Sequence, residues 1–141
     1  MVNLLIASSQ VLHIQAIEHL IREYNEKVVV EHAESGEHIL ALSHDTYFDL
    51  IIIDLNLEGL SGLDLLRKMN ARSLNSKVLI VSVPPDEFLL KEMIDLDVKG
   101  FLSHSADGDE YILAVNSMIH SKPSATGILQ QPFLMISSIR Q

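Results

Sequence analysis

The chain has 141 residues, 48% hydrophobic and 21% charged, a composition that fits one globular domain and excludes a disordered segment. Nineteen acids against ten bases give a formal charge of -9, which disfavours direct contact with DNA, RNA or an anionic membrane. The absence of cysteine removes disulfides, thiolate catalysis and cysteine-ligated zinc, and with no basic residue before Arg22 and no apolar run near the ~20 residues of a membrane helix, a cytoplasmic protein is expected.

Apolar runs alternate with segments of helical period. Val2 to Ala7 reads as a buried strand, and Gln10 to Tyr24 as a helix with Ile14, Ile17, Leu20, Ile21 and Tyr24 on one face. Lys27 to His32 is the second strand; Ser35 is placed to cap a helix carrying Ile39, Leu40 and Leu42. Asp49 to Asp54 is the strongest strand pattern, and a turn with glycine at both ends, Gly59 to Gly62, leads to a helix marked by Leu63, Leu65, Leu66 and Met69. Val78 to Val83 is the fourth strand. Pro84 and Pro85 end it, and Pro85, Asp86 and Glu87 suit the first turn of a helix over Phe88 to Leu96. Lys99 to Ser103 is a short fifth strand and Asp109 to His120 the fifth helix.

Strands alternating with helices imply an α/β domain, a doubly wound parallel sheet with helices on both faces. Ligands in such sheets bind beyond the carboxyl ends of the strands. That rule nominates Ser8 and Ser9 after the first strand, Asp54 ending the third, Ser82 after the fourth and His104 after the fifth. Asp54 is the most pointed of these, because three isoleucines carry the chain to a carboxylate at the mouth of the sheet. A carboxylate there serves either as a nucleophile for phosphoryl transfer or as a solvated strand-end acid. Position alone leaves both readings open.

The segments Leu4 to Ala7, Phe48 to Gly62 (FDLIIIDLNLEGLSG), Val78 to Ser82 and Lys99 to Leu102 resemble those of response regulator receiver domains, closest to the NarL/LuxR type. The middle segment is the specific one, through its apolar run and its Asp-x-Asn-x-x-Gly spacing. The resemblance implies a CheY-like, flavodoxin-like three-layer sandwich with five strands in the order 2-1-3-4-5. It implies a module of two-component phosphorelay signalling and transcription regulation, not an enzyme in its own right. Its partners would be a histidine kinase or an output domain, and a homodimer is expected. By the same resemblance Asp54 is the phosphoacceptor, Asn56 the residue whose carbonyl ligates magnesium, and Ser82 and Phe101 the switch pair.

The pocket departs from the family pattern. A pair of acids usually follows the first strand, where Ser8 and Ser9 stand, and a lysine usually ends the fifth, where His104 stands. Glu58 replaces a usual proline and Asp97 a usual small residue. Mg²⁺ is held by carboxylates and waters in near-octahedral geometry, so weak or absent Mg²⁺ binding is expected and no metal site is assigned. An atypical receiver acting by protein contact is therefore the first reading. A phosphorylation-competent receiver using Asp54 is the alternative, and a small anion held by Ser8, Ser9, Asp54 and Ser82 is a third. With the neighbouring acids gone, Asp54 is expected to pair with hydroxyls or His104 without metal.

Seven histidines show no ligand spacing and read as surface residues, His104 excepted. Phe88, Leu89 and Leu113 are candidate interface residues on the fourth and fifth helices. Residues 1–122 form the receiver domain, and 123–141 a tail or linker helix. That tail is too apolar for a free linker, and by the resemblance it would lead, in a longer natural protein, to a DNA-binding domain.

Overall fold

The computed structural model describes residues 2–24, 27–55, 62–71, 76–82, 85–120 and 134–136. The apolar runs form strands β1 (Val2–Ala7), β2 (Val28–Ala33), β3 (Leu50–Asp54), β4 (Lys77–Ser82) and β5 (Gly100–Ser103). The amphipathic segments form α1 (Val11–Tyr24), α2 (Gly36–Asp45), α3 (Gly62–Ala71), α4 (Glu87–Asp95) and α5 (Gly108–Ile119). These strands pair in parallel in the order β2-β1-β3-β4-β5, as expected. A sixth strand, β6 (Leu134–Ile136), adds in parallel to the outer edge of β5. The region read as a tail or linker helix thus contains a short strand. Tail positions outside 134–136 lie beyond the described residues, as do Asn56 and the Gly59 to Ser61 part of the turn.

Three helix starts follow from local chemistry. The Ser35 hydroxyl accepts a hydrogen bond from the His38 amide, and the Asp86 carboxylate accepts one from Leu89. Asp86 is therefore the cap, one position before the first turn in which the sequence placed it. Asp107 and Glu110 form a reciprocal capping box on α5. Each side-chain oxygen satisfies an amide that the helix leaves without a partner, which contributes about 1 kcal/mol.

Strand alternation sorts the core into two halves. Leu5, Ala7, Ile51, Ile53, Val78, Ile80 and Phe101 pack under α2, α3 and α4. Leu4, Ile6, Leu50, Ile52, Leu79, Val81 and Leu102 pack under α1 and α5. Near-continuous apolar strands are what a sheet buried on both faces requires. The loop between α4 and β5 holds Asp97 at a φ of 67°, the one positive value on a described non-glycine residue. That explains why a small residue suits this position, since an L side chain crowds the backbone there.

Candidate functional site

The even-numbered positions of β1, β3 and β5 that face α1 and α5 are apolar until the strands end. There the same face continues with Ser8, Asp54 and His104. Asp54 is 5% exposed, so its carboxylate sits largely out of water and needs partners. Its Oδ2 accepts from the Ser8 hydroxyl at 3.3 Å, and its Oδ1 lies 3.2 Å from His104 Nε2. An ionised carboxylate only accepts, so the imidazole proton is on Nε2. Ser8 is buried, and its oxygen in turn accepts from the Gln10 amide at 3.1 Å, which fixes the turn into α1.

Two further residues complete the cluster. The His13 ring, on α1, stands edge-on to His104 with centroids 6.3 Å apart. Its Nε2 is 2.9 Å from the Tyr111 hydroxyl on α5, and its Nδ1 is buried without a hydrogen-bond partner. Burial pushes the Tyr111 phenol up to about 12, with the Asp54 charge adding to the effect. A phenol kept protonated is the natural donor to Nε2 of a neutral ring. His13 is held below its usual value, chiefly by burial; Asp54 opposes that shift and His104 adds to it.

The structure therefore brings Ser8, Asp54 and His104 together, with Asp54 paired to the Ser8 hydroxyl and to His104. Ser9 is exposed instead, and alternation assigns Ser82 to the opposite sheet face, where Phe101 is fully buried. His13 corrects the surface reading, being half-buried; His19, His32, His38, His44 and His120 are exposed. The signal for His13 was its spacing, four residues before Ile17 on the buried stripe of α1. Tyr111 carried a similar signal, three, four and seven residues before the buried Ala114, Val115 and Met118. Of the interface candidates, Phe88 and Leu113 are 68% and 59% exposed, while Leu89 is half-buried and packs on the core beneath α4.

Among the described residues no three His, Cys, Asp or Glu side chains converge as a metal site would require. No described helix is long and apolar enough to cross a membrane.

Comparison with known proteins agrees with this architecture. The family model described as response regulator receiver domain matches residues 4–116. The chain is 30% identical over 95 residues to the nitrate/nitrite response regulator protein homolog of Haemophilus influenzae, covering 67% of this chain and 46% of that one. It is 26% identical over 115 residues to the DNA-binding transcriptional activator EvgA of Escherichia coli K12, covering 82% and 56%. The chain thus spans about half the length of these curated relatives. Among solved structures, the chemotaxis response regulator CheY4 of Vibrio cholerae superposes with a TM-score of 0.75 at 18% identity, covering 84% of this chain and 98% of that one. A LuxR-family DNA-binding response regulator of Staphylococcus aureus gives 0.74 at 21% identity, covering 85% and 100%.

Proposed function

The chain belongs to the response regulator receiver family, and from that premise we propose that it is an atypical receiver, one that signals by protein contact without efficient Mg²⁺-dependent phosphorylation of Asp54. The observation that carries this reading is the state of the Asp54 carboxylate. Both of its oxygens are already engaged, one by the Ser8 hydroxyl and the other by His104. The position that would supply further carboxylates holds Ser8 and Ser9. One engaged carboxylate, hydroxyls and an imidazole nitrogen are a poor donor set for Mg²⁺, which prefers six oxygens.

Charge bookkeeping supports the same reading. A phosphoryl group on Asp54 would add negative charge beside Tyr111, a phenol that does not ionise at neutral pH, and the half-buried imidazole of His13. Transfer to a carboxylate needs cations on the migrating oxygens, and losing metal and lysine together costs several kcal/mol of transition-state stabilisation, thus orders of magnitude in rate. The partners in this reading are proteins: a kinase, an output domain or a second copy of the chain. In a longer natural protein, a DNA-binding output domain would follow; the relative EvgA is named as a DNA-binding transcriptional activator.

Incubation of the chain with Mg²⁺ and a small acyl phosphate, followed by intact-mass measurement, tests the proposal. No mass gain is expected. A gain of one phosphoryl group that disappears in Asp54→Asn would establish the phosphorylation-competent alternative. An amide titration with Mg²⁺ and beryllofluoride reads the same question at Asp54, Ser82 and Phe101, and no shifts are expected there.

A further inference from the structure

The outer edge of a sheet presents backbone N–H and C=O groups that another strand can take up. In a five-stranded order β5 would be such an edge. Here it is occupied by the chain itself: Gly100 stands opposite Leu134, Phe101 opposite Met135 and Leu102 opposite Ile136. β5 is only four residues long, and His104, which holds Asp54, follows it directly. Occupancy of this edge therefore bears on the strand that leads into the Asp54 cluster.

Three paired residues make a short strand, below the usual length of about five to six. As a free peptide it would bind weakly. A connection of 13 residues from His120 keeps it near its edge, at an effective concentration on the order of millimolar. Charge acts in the same direction. The segment 121–141 carries Lys122 and Arg140 and no acid, whereas all nineteen acids of the chain lie before it. A weak strand that is tethered and attracted closes the edge by default, and a competitor that brings its own strand can displace it.

We propose that Leu134–Ile136 is a displaceable cover on the β5 edge, and that this edge is a docking site for an extended backbone segment, held closed by the chain's own tail. A partner that adds a strand there must first release β6. The inference is independent of the chemistry of Asp54.

The test uses the full chain with Leu134→Pro, Met135→Pro and Ile136→Pro made singly. Successive amides of a strand point to opposite sides, and proline has none to give. Leu134→Pro and Ile136→Pro should therefore behave alike and opposite to Met135→Pro. One class should lose amide-exchange protection at Gly100 and Leu102 by about tenfold, the upper scale of a lost hydrogen bond, while Phe101, whose amide faces β4 as that of Lys99 does, keeps its protection. Protection in β1 and β3 should stay unchanged in all three. A peptide of the sequence Gln130 to Arg140 should bind the class that lost protection and not the unsubstituted chain. Equal exchange at Gly100 and Leu102 in all four proteins, or equal peptide binding to all four, would overturn the proposal.

Discussion

The sheet face under α2, α3 and α4 is filled with hydrocarbon, with Ile53, Leu65, Met93 and Phe101 wholly buried, and among the described residues its strands end in the buried serines Ser82 and Ser103. The face under α1 and α5 is as apolar along most of its length, but it ends in Ser8, Asp54, His104, His13 and Tyr111. Both are woven from the same strands, one residue out of phase. Packing is thus distributed over both faces, while the titratable chemistry is gathered on one. Substitutions on the first face should change stability without changing titration, and those at the end of the second should do both.

The largest expected effect is on the apolar face. Phe101→Ala removes a fully buried ring and should cost about 3–5 kcal/mol in urea unfolding. Histidine ring shifts followed against pH should place the His13 midpoint where it lies in the unsubstituted chain. A moved midpoint would show that the two faces are coupled.

Next comes Tyr111. Its folded value, about 12, lies above the ordinary 10, so the neutral phenol is favoured by folding. That contribution is whole below pH 10 and is lost as pH rises from 10 to 12, about 2–3 kcal/mol over the window. Tyr111→Phe should be less stable by about 1–2 kcal/mol near neutrality, because His13 Nε2 loses its partner. It should also lack the alkaline loss, so the two stability curves should meet between pH 10 and 12 and cross, leaving Tyr111→Phe the more stable at pH 12.

A subtler test removes charge and keeps shape. Asp54 raises the His13 value against the burial that lowers it, and it also raises that of Tyr111. Asp54→Asn should therefore move the His13 midpoint further down and that of Tyr111 toward the ordinary phenol. For His13 the folded value is already below 6.5, so stability falls as pH drops from 6.5 through that value. In Asp54→Asn this acid loss should extend to lower pH. An unchanged His13 midpoint would dissolve the cluster as an electrostatic unit.

Much of this was readable from the residues. The strands announced themselves through runs such as Leu50 to Ile53, and Ser35 marks a helix start by capping chemistry that is local in sequence. Asp54 and His104 were nominated because strand ends in a parallel sheet share one rim. His13 and Tyr111 were not, because they meet across 98 residues only once α1 lies against α5. Spacing puts each on a buried stripe but does not say that the stripes touch at those two side chains. β6 escaped for a different reason: three residues are too few to show a period.

The smallest expected effect serves as the control on the comparison. Asp97 lies in the connection from α4 to β5, at the amino end of the sheet and away from both strand-end groups. Its φ of 67° costs an L residue roughly 1 kcal/mol, which glycine avoids. The exposed ion pair that its carboxylate makes with Lys99 at 2.7 Å offsets little of this, since such pairs contribute about 0–1 kcal/mol. Asp97→Gly should therefore raise stability by up to about 1 kcal/mol, less whatever the ion pair contributed and the greater chain entropy of glycine when unfolded. Because the site shares no partner with the Asp54 cluster, the gain should add to the effects of Phe101→Ala and Tyr111→Phe within a few tenths of a kcal/mol. The His13 midpoint should not move at all. A gain that vanished in the Tyr111→Phe background would mean that strain before β5 is felt beyond its far end, through the four residues of β5 that separate Lys99 from His104.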